Sequence, residues 1–239
     1  MKLFSRIALV TCAAAVLFAC NDQKSETKAA ADESFNKVKA AGVFVLGLDD
    51  SFPPMGFRDK DNNIVGFDID LATEVCKRLG LKLKTQPISW DAKEQELNTG
   101  KIDCIWNGMS VDPERAMAMN LSEPYLQNRM IFTVKDKSLS TLAALKGKKI
   151  AVQNGSTAQK LLDASEAGKA AKEIVPFDDN QTALMDLEKG GVSAVFLDEI
   201  VAKYWIVKTL SPTSFSKKVS PTKSMQSASA KKTRPFAIP

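Results

Sequence analysis

Residues 105–115, IWNGMSVDPER, set a serine and an arginine around a short turn. Asp112 followed by Pro113 is a good helix start, with the acid at the cap and proline at the first helical position. Arg115 then falls in the first helical turn, where the helix dipole disfavours a cation. Ser110 and Arg115 make sense together when an anion from outside the chain sits there, held by a guanidinium fork and a hydroxyl at a helix start. A second stretch, QNGST (153–157), puts a Gly-Ser-Thr turn at the opening of another helix, with amide donors and the hydroxyls of Ser156 and Thr157. Asp198 ends the apolar run AVFLD and offers a carboxylate to a cation. These groups together complement a free amino acid, which carries a carboxylate and an ammonium on one carbon. Each also has a plain structural reading: a solvated arginine at 115, helix caps at Ser156 or Thr157, and a cap for the next helix at Asp198. Their joint occurrence at strand ends is what favours a site.

The elements that must position these residues follow a strand, loop, helix pattern from residue 43 onward. Strands are expected at 43–48, 81–85, 103–106, 130–134, 149–152, 174–177 and 193–197. Helices are expected at 68–79, with apolar positions Leu71, Val75 and Leu79 and a stop at Gly80, and at 91–99, stopped by Gly100. Further helices open at Thr157, run over 181–189, and open at Glu199. The Asn107-Gly108 pair is expected to turn the chain after the strand ending at Trp106. Alternation of this kind implies parallel α/β units. An ungapped internal echo links ELNTGKIDCIWNG (96–108) to DLEKGGVSAVFLD (186–198). Any helix-Gly-strand unit produces such an echo; the alternative is two similar α/β lobes, each ending this strand at a shared cleft. Ligands of open α/β sheets bind beyond the carboxyl ends of strands.

Composition narrows the chemistry. The chain has 239 residues and no histidine, which removes Ser-His-Asp and Cys-His catalysis and most zinc sites. No cofactor and no metal are expected. The net charge of +5 is uneven: six Lys and Arg and no acid fall in residues 209–239, so the remainder is close to neutral. A near-neutral body argues against nucleic acid as a partner. Lys2 and Arg6 precede an apolar run from Ile7 to Ala19, which suits a secretory signal and is short for a membrane span. The run ends Leu-Phe-Ala-Cys at residue 20. That sequence resembles the bacterial lipobox, whose cysteine is lipidated, so residues 1–20 are expected to be a lipoprotein signal peptide with the anchor on Cys20. Cleavage of a soluble secreted protein near Ala19, or a signal anchor, are the alternatives. Residues 21–36 suit a flexible tether. Cys76 and Cys104 are expected to be buried free thiols.

GFDIDLATEVCKRL (66–79) resembles the signature of the family 3 extracytoplasmic solute-binding proteins, the polar amino-acid receptors of ABC importers. DDSFPPMGF, IDCIWNGMSVDPER, LSEPY, LKGKKIAVQNGST and AVFLDE follow in that family's order over residues 35–208. The resemblance implies a two-lobed, type II periplasmic-binding-protein-like α/β fold with its ligand cleft between lobe one (37–129) and lobe two (130–208). It implies that Arg115 and Ser110 bind the ligand's α-carboxylate, with backbone contacts from Gly108. Thr157 and Ser156 would close on that carboxylate from lobe two, and Asp198 would take the α-ammonium. Phe52 and Trp90 would flank the ligand side chain, and Asp49 would meet its distal end, favouring a basic or amide side chain. The implied partners are a small-molecule amino acid, a membrane-embedded ABC permease, and the membrane through the lipid on Cys20. The protein would be a monomer outside the cytoplasmic membrane, delivering its ligand by hinge closure. A dehydratase-like enzyme on the same fold is the alternative within that resemblance.

The resemblance stops near Lys208. Residues 209–239 hold seven Ser, four Thr and four Pro without an apolar period, and are expected to be a disordered basic tail. The family continues here with a strand through the hinge and with helices that complete lobe one. A sensor or interaction module in which closure signals to a partner is a second alternative, and the apparent loss of these elements, by truncation or a change of reading frame, adds a third: a receptor copy that no longer functions.

Overall fold

The computed structural model describes residues 33–209, together with the backbones of two later strands, 214–215 and 223–230. The signal segment, Cys20 and most of the expected tether lie outside the described residues. The tether expectation ends early: helix α1 (Ser34–Ala41) begins within it, with Val38 buried and Gly42 closing the helix in the left-handed conformation.

Lobe one is built on a twisted sheet of β1 (Val43–Leu48), β5 (Lys82–Pro87) and β6 (Cys104–Ser110), with β1 parallel to both neighbours. A small hairpin sheet of β2 (Ser51–Phe52), β3 (Gly56–Arg58) and β4 (Ile64–Val65) follows β1. Helix α2 (Phe67–Leu79) covers the main sheet. Its acids, Asp68 and Asp70, sit in the first turn, its bases, Lys77 and Arg78, in the last, and Gly80 caps it. Its buried face is Ile69, Ala72 and Cys76, with Leu71, Val75 and Leu79 half-buried beside it. That face is turned slightly from the one the sequence pattern suggests. Helix α3 (Lys93–Asn98) leads through Gly100 into β6, and α4 (Pro113–Ala118) follows it; β7 (Met119–Leu121) and β8 (Leu126–Asn128) then run to the hinge.

Lobe two repeats the plan. Strand β10 (Lys149–Gln153) lies parallel between β11 (Glu173–Phe177) and β12 (Ala194–Asp198), and β9 (Met130–Val134) pairs antiparallel with β12. Helices α5 (Thr157–Asp163), α6 (Glu166–Lys169), α7 (Asn180–Lys189) and α8 (Glu199–Thr209) connect and cover the strands. The echo seen in the sequence is the pair α3–β6 and α7–β12, each turning at a glycine with positive φ, Gly100 and Gly190. In each lobe that strand lies next to the strand flanked by two parallel partners. Cys76 and Cys104 are buried and free. Phe52 and Met55, from the hairpin region, pack with Ile131, Leu184 and Leu197 of lobe two, so apolar contact crosses between the lobes.

Two expectations are corrected. Asn107-Gly108 does not turn the chain; β6 runs on to Ser110. Gly108 has φ +56°, and the register against the later strand shifts around it, so the pair forms a bulge within the strand. The second concerns the tail, which is not without regular structure throughout. The backbone of β13 (Ser214–Phe215) pairs with β9, and β14 (Lys223–Ala230) lies antiparallel between β6 on one side and β7 and β8 on the other. The open edge of β6 presents N–H and C=O groups that need partners, and a strand's backbone supplies them whatever its apolar pattern.

Candidate ligand-binding site

The carboxyl ends of β6 and β12 face a small cavity between the lobes. Its wall includes Phe52, Trp90, Gly108, Ser110, Arg115, Ser156, Thr157 and Asp198, eight of the nine residues picked out in the sequence as contacting a ligand. Asp49 is the exception. It is buried, but Gln153 stands between it and the cavity: Asp49 Oδ2 accepts from Gln153 Nε2 at 2.7 Å and Oδ1 from the Ser51 amide at 2.8 Å. Burial pushes its carboxyl up to about 6, against those two hydrogen bonds.

Arg115 is held at the start of α4. Asp112 caps that helix by accepting from the Glu114 amide at 2.9 Å, and Pro113 opens it. The side chain turns inward and is 8% exposed; Nη1 donates to the Ser110 carbonyl at 3.1 Å and to Thr157 Oγ1 of lobe two at 2.9 Å. Burial lowers the guanidinium pKa, opposed by the charges of Asp112, Glu94 and Asp198; an arginine remains charged under such conditions. Ser156 is both the cap of α5, accepting from Gln159 N at 3.0 Å, and part of the cavity wall, so its two readings coexist.

Asp198 ends β12 and accepts a short hydrogen bond from Asn128 Nδ2. Burial raises its carboxyl to about 7; the Asn128 bond, its own backbone amide and the Arg115 charge lower it. A buried carboxylate poised this way gains when a cation arrives. The cavity wall thus carries one buried cation from lobe one and one buried acid from lobe two.

Other contacts tie the lobes together at the rim. Lys93 is 4% exposed and donates to the Trp90 carbonyl and to the Gly155 carbonyl of lobe two, each at 3.0 Å, while lying 5.1 Å from the Trp90 ring centre. Asn154 Nδ2 donates to Asp91 at 3.3 Å, and Lys160 bridges to Asp112 at 3.2 Å and Glu114 at 2.7 Å. Gly155 packs so closely that an added Cβ would come 2.8 Å from Asp91 Cα. The sequence gives no warning of Lys93, which reads as an ordinary helix lysine. It also misses Asn107, Met109, Met130 and Gln153 on the cavity wall. Alternation within a strand extended past Trp106 would have pointed to Asn107 and Met109.

Behind the bulge, Asp68 at the start of α2 is fully buried and accepts from Tyr125 Oη at 2.9 Å. Burial raises it to about 7, opposed by Tyr125, the Gly108 backbone and Trp106. Tyr125 lies in the segment leading to lobe two, so this cluster ties the bulge to the hinge.

Known proteins resemble the chain over most of its length. The L-cystine-binding protein TcyJ of Escherichia coli K12 is 30% identical over 186 residues, covering 76% of this chain and 69% of the relative. The arginine-bound form of truncated ArgBP from T. maritima superimposes with a TM-score of 0.76 at 34% identity, covering 82% of this chain and 92% of that one. A substrate-binding protein of an ABC uptake transporter from Streptococcus pneumoniae, with bound histidine, gives 0.79 at 30% identity, with 84% of each chain covered. The model of the bacterial extracellular solute-binding proteins, family 3, matches residues 44–221. With its two-lobed α/β architecture and the cleft described above, the chain belongs to that family.

Proposed function

We propose that the protein binds a free L-amino acid in the cleft between its lobes and delivers it to an ABC permease by hinge closure. The observation that carries this reading is the opposed pair in one cavity wall, Arg115 from lobe one and Asp198 from lobe two, both buried. A zwitterion enters such a site without leaving either charge unpaired, which is the condition for burying it. Arg115, Ser110 and Thr157 take the carboxylate, Asp198 takes the ammonium, and Phe52 and Trp90 flank the side chain. Gly108 and Ser156 frame the same carboxylate. Ligand groups bridging the lobes favour the closed form, which the permease recognises. The relatives named above bind cystine, arginine and histidine, and the chain is read accordingly as a binder and not a catalyst. In this reading residues 1–20 direct export, Cys20 carries the lipid, and the protein works as a monomer outside the cytoplasmic membrane. Lobe one is assigned 37–129 and lobe two 130–208, with the returning strand joining lobe one.

Calorimetric titration with L-amino acids tests it. Arg115→Ala and Asp198→Asn are each expected to abolish binding, because each leaves one charged end of the buried ligand unpaired. Near-normal affinity in either variant overturns the assignment.

A further inference from the structure

Lys93 is a buried charge to which the amino-acid reading gives no task. It opens α3, where the helix dipole disfavours a cation, and it is 4% exposed. Its hydrogen bonds go to two carbonyl oxygens, of Trp90 and of Gly155, and not to a carboxylate. A buried ammonium held this way is costly, and burial together with the Arg115 charge lowers its pKa to about 8. The two carbonyls belong to opposite sides of the cleft. Trp90 stands on the ligand-cavity wall from lobe one, and Gly155 precedes Ser156 and Thr157, which stand on it from lobe two. Within lobe two the turn is braced by Gln159, whose Oε1 accepts from the Gly155 amide at 2.8 Å and whose amide donates to Ser156 Oγ at 3.0 Å. Its seat on lobe one is made by the Lys93 bond, by Asn154 Nδ2 on Asp91, and by the close approach of Gly155 to Asp91 Cα. Of these groups Lys93 also holds Trp90, through the carbonyl and across the ring face.

We infer that Lys93 is a positioning residue for ligand capture: its ammonium fixes the Gly155 turn of lobe two against Trp90 of lobe one, and so places the Ser156 and Thr157 hydroxyls over the ligand's carboxylate. The inference rests on the amino-acid reading above. Lys93 lies off the ligand-cavity wall, so it acts through Trp90 and Gly155 and not by touching the ligand. The Trp90 bond lies within lobe one and persists when the lobes part, whereas the Gly155 bond exists only while they are together. Lys93 therefore matters to how long a captured ligand stays, and little to how fast it arrives. The carboxylate that arrives beside Arg115 also brings negative charge toward Lys93, offsetting part of the cost of burying it.

The test uses the full chain at pH 7. Calorimetry with each common L-amino acid and L-cystine first finds the tightest probe for wild type. Surface plasmon resonance then gives that probe's association and dissociation rates for wild type, Lys93→Met and Lys160→Met. Lys93→Met keeps the apolar stem and removes the donors. Its dissociation is expected to be at least about tenfold faster with association little changed, because a lost hydrogen bond to a charged group shows mainly in the off-rate. Its ligand-free melting temperature should equal or exceed that of wild type, since a buried charge is gone. Lys160→Met removes a half-exposed ion pair at the same rim without touching Trp90 or the Gly155 carbonyl, and should speed dissociation by no more than about threefold. Should Lys93→Met fail to melt cooperatively, Lys93→Gln, which keeps a shorter donor, is judged by the same rates. Dissociation from the Lys93 variant within threefold of wild type, or no faster than from Lys160→Met, overturns the inference while the amino-acid reading stands. So does a loss of affinity that comes with a lowered ligand-free melting temperature, which marks Lys93 as structural. A cooperatively folded wild type that binds none of the probes overturns the underlying reading, and the inference with it.

Discussion

Asp198 ties the site to pH. Its carboxyl sits near 7 because of burial, and the ligand's ammonium pairs only with the ionised form. Below that value the proton must leave before the ligand enters, so affinity is expected to fall by up to about tenfold per pH unit as pH drops below 7. The protein alone should show the opposite trend. Asp198 and Asp68 near 7 and Asp49 near 6 all lie well above their unfolded values, so the folded state holds protons that the unfolded state releases. Their contribution to stability is complete below about pH 4 and is lost as pH rises through 6 to 7. The melting temperature without ligand should therefore decline from pH 5 to pH 8, and saturating ligand should flatten that decline; a ligand affinity independent of pH would dissociate Asp198 from the ammonium. At this scale the sequence was informative where charge was the signal. Arg115 and Asp198 stand out by charge and place, and Thr157 by its turn at a helix start. Asn107, on the cavity wall, did not, because an Asn-Gly pair reads as a turn. Asp49 illustrates the converse: its type suits a cation, but Gln153 intervenes, and no local pattern reveals a residue in between.

The elements were legible wherever period and punctuation agreed. Helix α2 has acids first, bases last and a glycine stop; β1, β10 and β12 are short apolar runs bounded by polar loops. The hairpin strands β2, β3 and β4, of two or three residues, are too short to show alternation. Strand β6 was cut short because the bulge at Gly108 imitates a turn. Helix α4 is only six residues long and owes its position to Asp112, which caps it and also meets Lys160 across the cleft. Asp112→Ala is expected to cost about 1 kcal/mol of stability through the lost cap, read by denaturant unfolding. Arg115 rides on the same helix, so ligand affinity should weaken too. Strand β14 was invisible to any pattern search, since its place depends on backbone pairing with segments some hundred residues earlier. Ala228→Pro puts a residue without an N–H into a strand with neighbours on both sides. A loss of about 3 kcal/mol or more is expected. An unchanged thermal melt would remove β14 from the sheet.

The whole molecule works by the fit of two similar lobes, and one close point of that fit is a glycine. Gly155 combines φ +65° with the close approach of Asp91, so Gly155→Ala adds both backbone strain and a clash between lobes. Ligand affinity should fall at least about tenfold. Small-angle scattering with ligand present should give a larger radius of gyration than wild type; equal radii and affinities would mean that the rim does not limit closure. Nearby, the Lys93 ammonium rests against the Trp90 indole and donates both to the Trp90 carbonyl and to the Gly155 carbonyl of lobe two. When the lobes part, the Gly155 carbonyl leaves, the ammonium keeps only its lobe-one contacts, and water reaches the ring. The indole emission should then shift to the red and change in intensity, giving the protein a built-in optical record of each opening and closing. Mixed rapidly with a ligand, the native chain would report its own closure in real time, and Trp90→Phe would silence the signal while Trp106 and Trp205 still emit.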